Sequence, residues 1–187
     1  MYNRILCGVA LLGTATFGWA QETGTQADMQ PEQGRAEARA SESKGAGMST
    51  QEFVRRAASD SMAEIQAGQL ALDKSRNPEI RSYAQRMIED HTAATEKLKS
   101  AAAAENVTLP SSMQTEQHRM VQKLESLDGE AFDREYRKSM EKDHDKAIAM
   151  FESASQSPQM GESVREFAAS TLPTLKEHHD LAENLAD

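Results

Sequence analysis

Cysteine and tryptophan occur once each in the 187 residues, as Cys7 and Trp19, and aromatic side chains make up 5%. One thiol can close no internal disulfide and build no cysteine-rich zinc site. Positive charge is also short, with 21 Lys+Arg against 30 Asp+Glu and a formal net charge of −9. Phosphate backbones and anionic lipid both call for clustered Lys and Arg, so this balance speaks against nucleic acid and against a charged membrane surface as partners. A glycine-rich phosphate loop is missing, and so is any strand-period segment of useful length. What abounds is Ala, Glu, Gln, Lys and Met. These are good helix formers, and an all-α chain is expected.

The amino terminus changes this arithmetic. Arg4 is followed by an apolar stretch from Ile5 to Phe17, then by Gly18-Trp19-Ala20. That stretch is too short to span a bilayer, which takes about 20 apolar residues. A basic start, a short apolar run and small residues at −3 and −1 form the layout of a secretory signal peptide over residues 1–20. Arg4 stands too close to Cys7 for a lipoprotein signal. Cleavage after Ala20 leaves 20 Lys+Arg against 30 Asp+Glu and no cysteine or tryptophan. With no other long apolar run, the mature chain is expected to lack a transmembrane segment and to reside in the periplasm, with outer-membrane association and an envelope protein partner both open. Residues 21–48 hold no Val, Ile, Leu or aromatic residue. They cannot bury enough apolar surface to offset their conformational entropy, and a disordered linker is expected there.

From residue 49 to 187 the spacing is helical. Ser49 and Glu52 form a capping-box pattern, followed by a stripe of Phe53, Ala57, Ser61, Glu64, Gly68 and Ala71. Asn77-Pro78-Glu79 is a helix start, and Ile80, Tyr83, Ala84, Met87, His91, Ala94 and Leu98 share one face. Leu109-Pro110 breaks the chain, and a short amphipathic piece turns Val121, Leu124 and Leu127 inward. After Asp128-Gly129 comes a stripe of Phe132, Tyr136, Met140, His144, Ala147 and Phe151. A last helix is expected from Ser157-Pro158, with Val164, Phe167, Leu175, His178 and Ala182 inward and a kink at Pro173. Short links make two antiparallel hairpins of the four long helices. The join over about 106–129 can cross the full length of the bundle, which predicts a ferritin-like four-helix bundle with a short crossover helix. Tyr83-x3-Met87-x2-Asp90-His91 repeats as Tyr136-x3-Met140-x2-Asp143-His144, as a pseudo-twofold bundle would require.

Each long helix carries one metal-competent residue near its middle, on its apolar face: Glu64, His91, His144 and His178. Three imidazoles and a carboxylate suit zinc, iron, manganese or copper. The same four residues could instead satisfy one another as a buried hydrogen-bonded network, joined by Tyr83 and Tyr136. Met87 and Met140 stand one turn from a histidine and are weaker candidate ligands, otherwise core filler. Glu141 completes one Glu-x-x-His with His144. Di-iron bundles need that motif twice, and its single occurrence argues against oxygen or ferroxidase chemistry and leans away from an enzyme. His118 and His179 are expected in solvent.

The ordered set Phe53…Ala63-Glu64…Leu70-Ala71, Tyr83-Ala84-x2-Met87-x2-Asp90-His91, Leu109-Pro110, Phe132-Asp133-x2-Tyr136…His144 and Thr171-Leu172-Pro173-x-Leu175-x2-His178 resembles the domain of unknown function 4142 family. The resemblance covers about residues 50–186. It implies an exported bacterial protein grouped with ferritin-like folds and often labelled an outer membrane protein. It implies no reaction. Glu64, His91, His144 and His178 coincide with positions that the family pattern favours.

Overall fold

A computed structural model describes residues 47–185. The expected signal peptide (1–20) and nearly all of the expected linker (21–48) lie outside the described residues. Within them the chain forms five helices and no strand: α1 (Thr50–Lys74), α2 (Pro78–Ala104), α3 (Thr115–Glu125), α4 (Gly129–Gln156) and α5 (Glu162–Glu183).

The helix starts follow local chemistry. Ser49 Oγ accepts from the Glu52 backbone N–H at 3.2 Å, satisfying one of the amides that a first turn leaves without a partner. The reciprocal half of the capping box does not form, because the Glu52 carboxylate turns to the Arg55 guanidinium at 2.6 Å. Asn77 Oδ1 accepts from the amides of Glu79 (2.8 Å) and Ile80 (3.4 Å), with Pro78 in the first turn. The last helix differs from expectation. Residues 157–161 form a turn that buries Met160, and α5 begins only at Glu162. Gly161 offers no side chain as a cap, so Glu105 at the end of α2 accepts from Ser163 N at 2.9 Å. That long-range cap has no signature in local sequence. Proline 173 does not end α5, which continues through it to Glu183.

Hydrogen bonds show which ends meet. Gly161 N donates to Thr50 Oγ1 at 2.9 Å, bringing together the starts of α1 and α5. Lys74 at the end of α1 donates to the carbonyl of Leu127 (2.8 Å) and to Asp128 (3.2 Å), just before α4. Arg137 donates to the Leu185 carbonyl at 3.0 Å, setting the start of α4 beside the end of α5. On α1, Gly68 permits close approach to α2: a Cβ there would lie 2.9 Å from Ile88 Cγ1 and 3.1 Å from the Ala84 carbonyl oxygen.

The core is divided. One apolar cluster gathers Phe53, Val54, Leu98, Phe151, Val164, Phe167 and Leu175. The other gathers Ile80, Tyr83, Met87, Leu124, Phe132, Tyr136 and Met140. Along each long helix, the position between its two apolar stretches is held by Glu64, His91, His144 or His178. A polar layer therefore crosses an otherwise apolar interior.

Candidate metal centre

All four candidate residues are buried: Glu64 at 3%, His91 at 5%, His144 at 0% and His178 at 1% exposure. They also meet. Glu64 Oε2 lies 3.1 Å from His91 Nδ1 and Oε1 lies 3.6 Å from His144 Nδ1. The ring centroids stand 5.8 Å (His91–His144), 5.3 Å (His91–His178) and 5.4 Å (His144–His178) apart. One ligand nitrogen from each imidazole lies within 4.8 Å of the other two. Four residues spread over 115 positions converge because each sits at the same level of its helix.

Neighbours set the tautomers. His144 Nδ1 is 2.8 Å from the Met140 carbonyl oxygen, an acceptor only, so the ring proton belongs on Nδ1 and Nε2 carries the lone pair. His178 Nε2 is 2.8 Å from Asp90 Oδ2. The same reasoning puts its proton on Nε2 and leaves Nδ1 bare. His144 Nε2, His178 Nδ1 and both nitrogens of His91 have no hydrogen-bond partner, and neither does Glu64 Oε1. His144 Nε2, His178 Nδ1 and whichever nitrogen of neutral His91 carries no proton offer lone pairs of the kind a metal ion uses.

Burial governs the charge. It holds the His91 imidazole well below its usual range, reinforced by His144 and His178. His144 is pushed down to about 4, chiefly by burial, and His178 is lowered by burial despite its bond to Asp90. Glu64 is raised well above the usual carboxylate range, by burial first and then by Asp60 and Asp143. Without a cation, burial favours the neutral form of all three imidazoles and opposes ionisation of the Glu64 carboxyl group. Neutral imidazole is the metal-binding form.

The weaker candidates separate from the site. Glu141 is exposed; its side chain leaves the helix on the solvent side, so the lone Glu-x-x-His is not assembled as a ligand pair. Met87 and Met140 pack in the apolar cluster beside the polar layer, and Met140 serves His144 through its backbone. Tyr83 and Tyr136 do not complete the anticipated network, because their buried hydroxyls have no hydrogen-bond partner. His118 is exposed as expected. His179 is not: its side chain is only 16% exposed, with Nε2 3.0 Å from Asp145 Oδ1. Asp90 is the neighbour of the cluster that sequence reasoning missed. It was visible within the Tyr-Met-Asp-His repeat, but there it served only as a sign of symmetry. Its counterpart Asp143 approaches Lys146 at 3.7 Å instead, so the repeat is chemically unequal.

Comparison with known proteins adds fold and family. A search of curated proteins finds no significant match. Among solved structures, a protein from Streptomyces coelicolor described as secreted, of the domain of unknown function 305 group, superposes with a TM-score of 0.58 at 14% identity, covering 71% of this chain and 87% of its own. CopM, solved in a Cu(II)-bound form, superposes with a TM-score of 0.51 at 18% identity, covering 72% of this chain and 98% of its own. At these identities the likeness concerns the fold alone. The family model for the domain of unknown function DUF4142 matches residues 34–185, and the chain belongs to that family.

Proposed function

We propose that this protein is an exported, metal-binding protein of the bacterial envelope that holds one transition-metal ion with His91, His144 and His178, Glu64 completing the donor set. The observation that carries this reading is the set of three buried imidazoles with one ring nitrogen from each within 4.8 Å of the others, in a cluster that also holds ring nitrogens without a hydrogen-bond partner. A buried polar atom with no partner costs about 1–3 kcal/mol, and a bound cation would engage them together. Three imidazoles and a carboxylate suit zinc and copper best, with iron and manganese as further candidates. CopM, which shares the fold, carries Cu(II) in its structure.

The finer architecture belongs to this proposal. The meeting ends fit two antiparallel hairpins, α1–α2 and α4–α5, with α3 in a long crossover, a ferritin-like four-helix bundle over residues 49–187. Residues 1–20 are read as a signal peptide and 21–48 as a linker, with a periplasmic location, and with outer-membrane association and an envelope protein partner both open. The secreted protein that shares the fold supports this placement. The reading leans away from an enzyme, and carboxylate-bridged di-iron chemistry has no part in it, since the Glu141 side chain faces solvent.

A second reading makes the cluster a structural polar layer, favoured by the His144–Met140 and His178–Asp90 hydrogen bonds. Metal analysis of tag-free protein from the periplasm, beside a His91→Ala, His144→Ala double variant, separates the two. About one equivalent of copper or zinc is expected in the wild type and none in the variant. Equal metal content in both would sink the proposed site.

A further inference from the structure

Two spaces in this molecule are linked through their lining residues. Outside, a surface cleft of about 310 Å³ runs between α3 and α4, with Glu116, Gln117, Lys142, Asp143 and Lys146 among its lining residues. Inside, a space of about 20 Å³ is bordered by Asp60, Ser61, Glu64 and His91 and otherwise by mainly apolar side chains. That volume suits a particle the size of one water molecule. Gln117 belongs to the cleft and Asp60 to the inner space, and Gln117 Nε2 donates to Asp60 Oδ1 at 2.6 Å. One hydrogen bond joins the two linings.

The inner space lies against the buried cluster. Glu64 and His91 border it, and they keep Oε1 and both ring nitrogens without a hydrogen-bond partner. Asp60 borders the inner space together with Glu64 and His91, and Asp143 lines the cleft. The Asp60 carboxyl is pushed up to about 6 by burial, with Gln117 opposing and Asp143 adding to the rise. A cation moving between these carboxyl groups would relieve their repulsion. The lysines sit at the rim: Lys146 is tied to Glu116 at 2.5 Å and stands 3.7 Å from Asp143, while Lys142 is exposed.

We propose that Asp60 is a transfer ligand on the path by which a divalent transition-metal cation reaches the buried histidines, with Asp143 on the outer side and the Gln117–Asp60 hydrogen bond as the barrier between cleft and cluster. This rests on reading the cluster as a metal site. The cation replaces Gln117 on the Asp60 carboxylate, sheds water there, and passes to Glu64 and His91, four residues and one helix turn further in. The element that yields is α3, whose 11 residues contribute only Val121 and Leu124 as buried side chains. Short elements with few buried contacts open at low free energy.

The test is stopped-flow mixing of the full chain with Cu(II), read by absorbance, for the wild type, Asp60→Asn, Gln117→Ala and the His91→Ala, His144→Ala double variant. Asp60→Asn keeps an acceptor for Gln117 and removes the charge. It is expected to slow association at least tenfold while leaving final stoichiometry and spectrum unchanged. Gln117→Ala removes the barrier and is expected to speed association. A pair that served the fold alone would not drive the two variants in opposite directions. An unchanged rate in Asp60→Asn overturns the path while the site stands. A changed final spectrum in Asp60→Asn makes Asp60 part of the site and overturns its role as a transfer ligand. A wild type that takes up no Cu(II), or a double variant with the wild-type signal, removes the site and the path together.

Discussion

The Asp90 carboxylate accepts a hydrogen bond from His178 Nε2 at 2.8 Å, tying α2 to α5 across 88 positions of sequence. Asp90 is itself half-exposed and approached by Arg86 at 3.4 Å, while His178 is 1% exposed. A partly solvated carboxylate thus sets the tautomer of a fully buried ring. Partners of this kind orient metal-ligating histidines, and their loss typically weakens metal binding 10- to 100-fold. Asp90→Asn is therefore expected to weaken Zn(II) or Cu(II) binding by about that factor in a competition titration. Glu177→Gln, which removes only the surface partner of Arg86, serves as the control and should leave affinity unchanged.

Acid should destabilise the metal-free protein through its histidines. Unfolded, His144 takes up a proton near 6.5; folded, burial holds it off until about 4. Between those values the unfolded state binds more protons, so stability falls as pH drops from 6.5 towards 4, by about 1.4 kcal/mol per pH unit for this ring. Glu64, Asp60 and Asp143 are raised and act in the opposite sense. Comparison with His144→Gln cancels them. In urea titrations with EDTA, the stability gap between wild type and variant is expected to narrow as pH falls from 6.5. A gap constant from pH 7 to 5 would contradict a buried neutral His144.

Metal should raise stability by mass action. An ion that binds only the folded state at 100 times its dissociation constant adds about 2.7 kcal/mol. Thermal melts of the wild type with saturating Zn(II) are expected to shift upward accordingly. The His91→Ala, His144→Ala variant should show no shift, and a shift of equal size in it would place the ion elsewhere.

Gly68 tests the packing that brings Glu64 to His91. In Gly68→Ala the new methyl would meet Ile88 Cγ1 and the Ala84 carbonyl oxygen. The side chain can give, but the backbone oxygen resists. Overpacking of this kind costs about 1–3 kcal/mol, against which alanine returns about 1 kcal/mol of helix propensity. A net loss of about 1 kcal/mol in urea unfolding is expected. A more stable variant would show that α1 and α2 separate freely at this level.

Much of this structure was legible one helix at a time. Ser49 and Asn77 cap where their types predict, because capping is a bond within a few residues. The stripes through Phe53, Tyr83, Phe132 and Phe167 face inward as period 3.6 requires. Glu64, His91, His144 and His178 stood out because a polar residue on an apolar stripe has to be accommodated somehow. Two other features have a long-range cause. The start of α5 depends on Glu105, 57 residues before the helix it caps. The solvent side of Glu141 depends on how far α4 is rotated against its neighbours.

The sequence by itself determined the helices, their inward faces and the height of one polar residue on each long helix, since these follow from spacing along a single chain. The tertiary structure alone decided that the four residues meet, that Asp90 and the Met140 carbonyl set two of the ring tautomers, and that Gln117 donates to Asp60. Those relations depend on the rotation and separation of packed helices. Side chains far apart in sequence settle both quantities together, and no local window contains them.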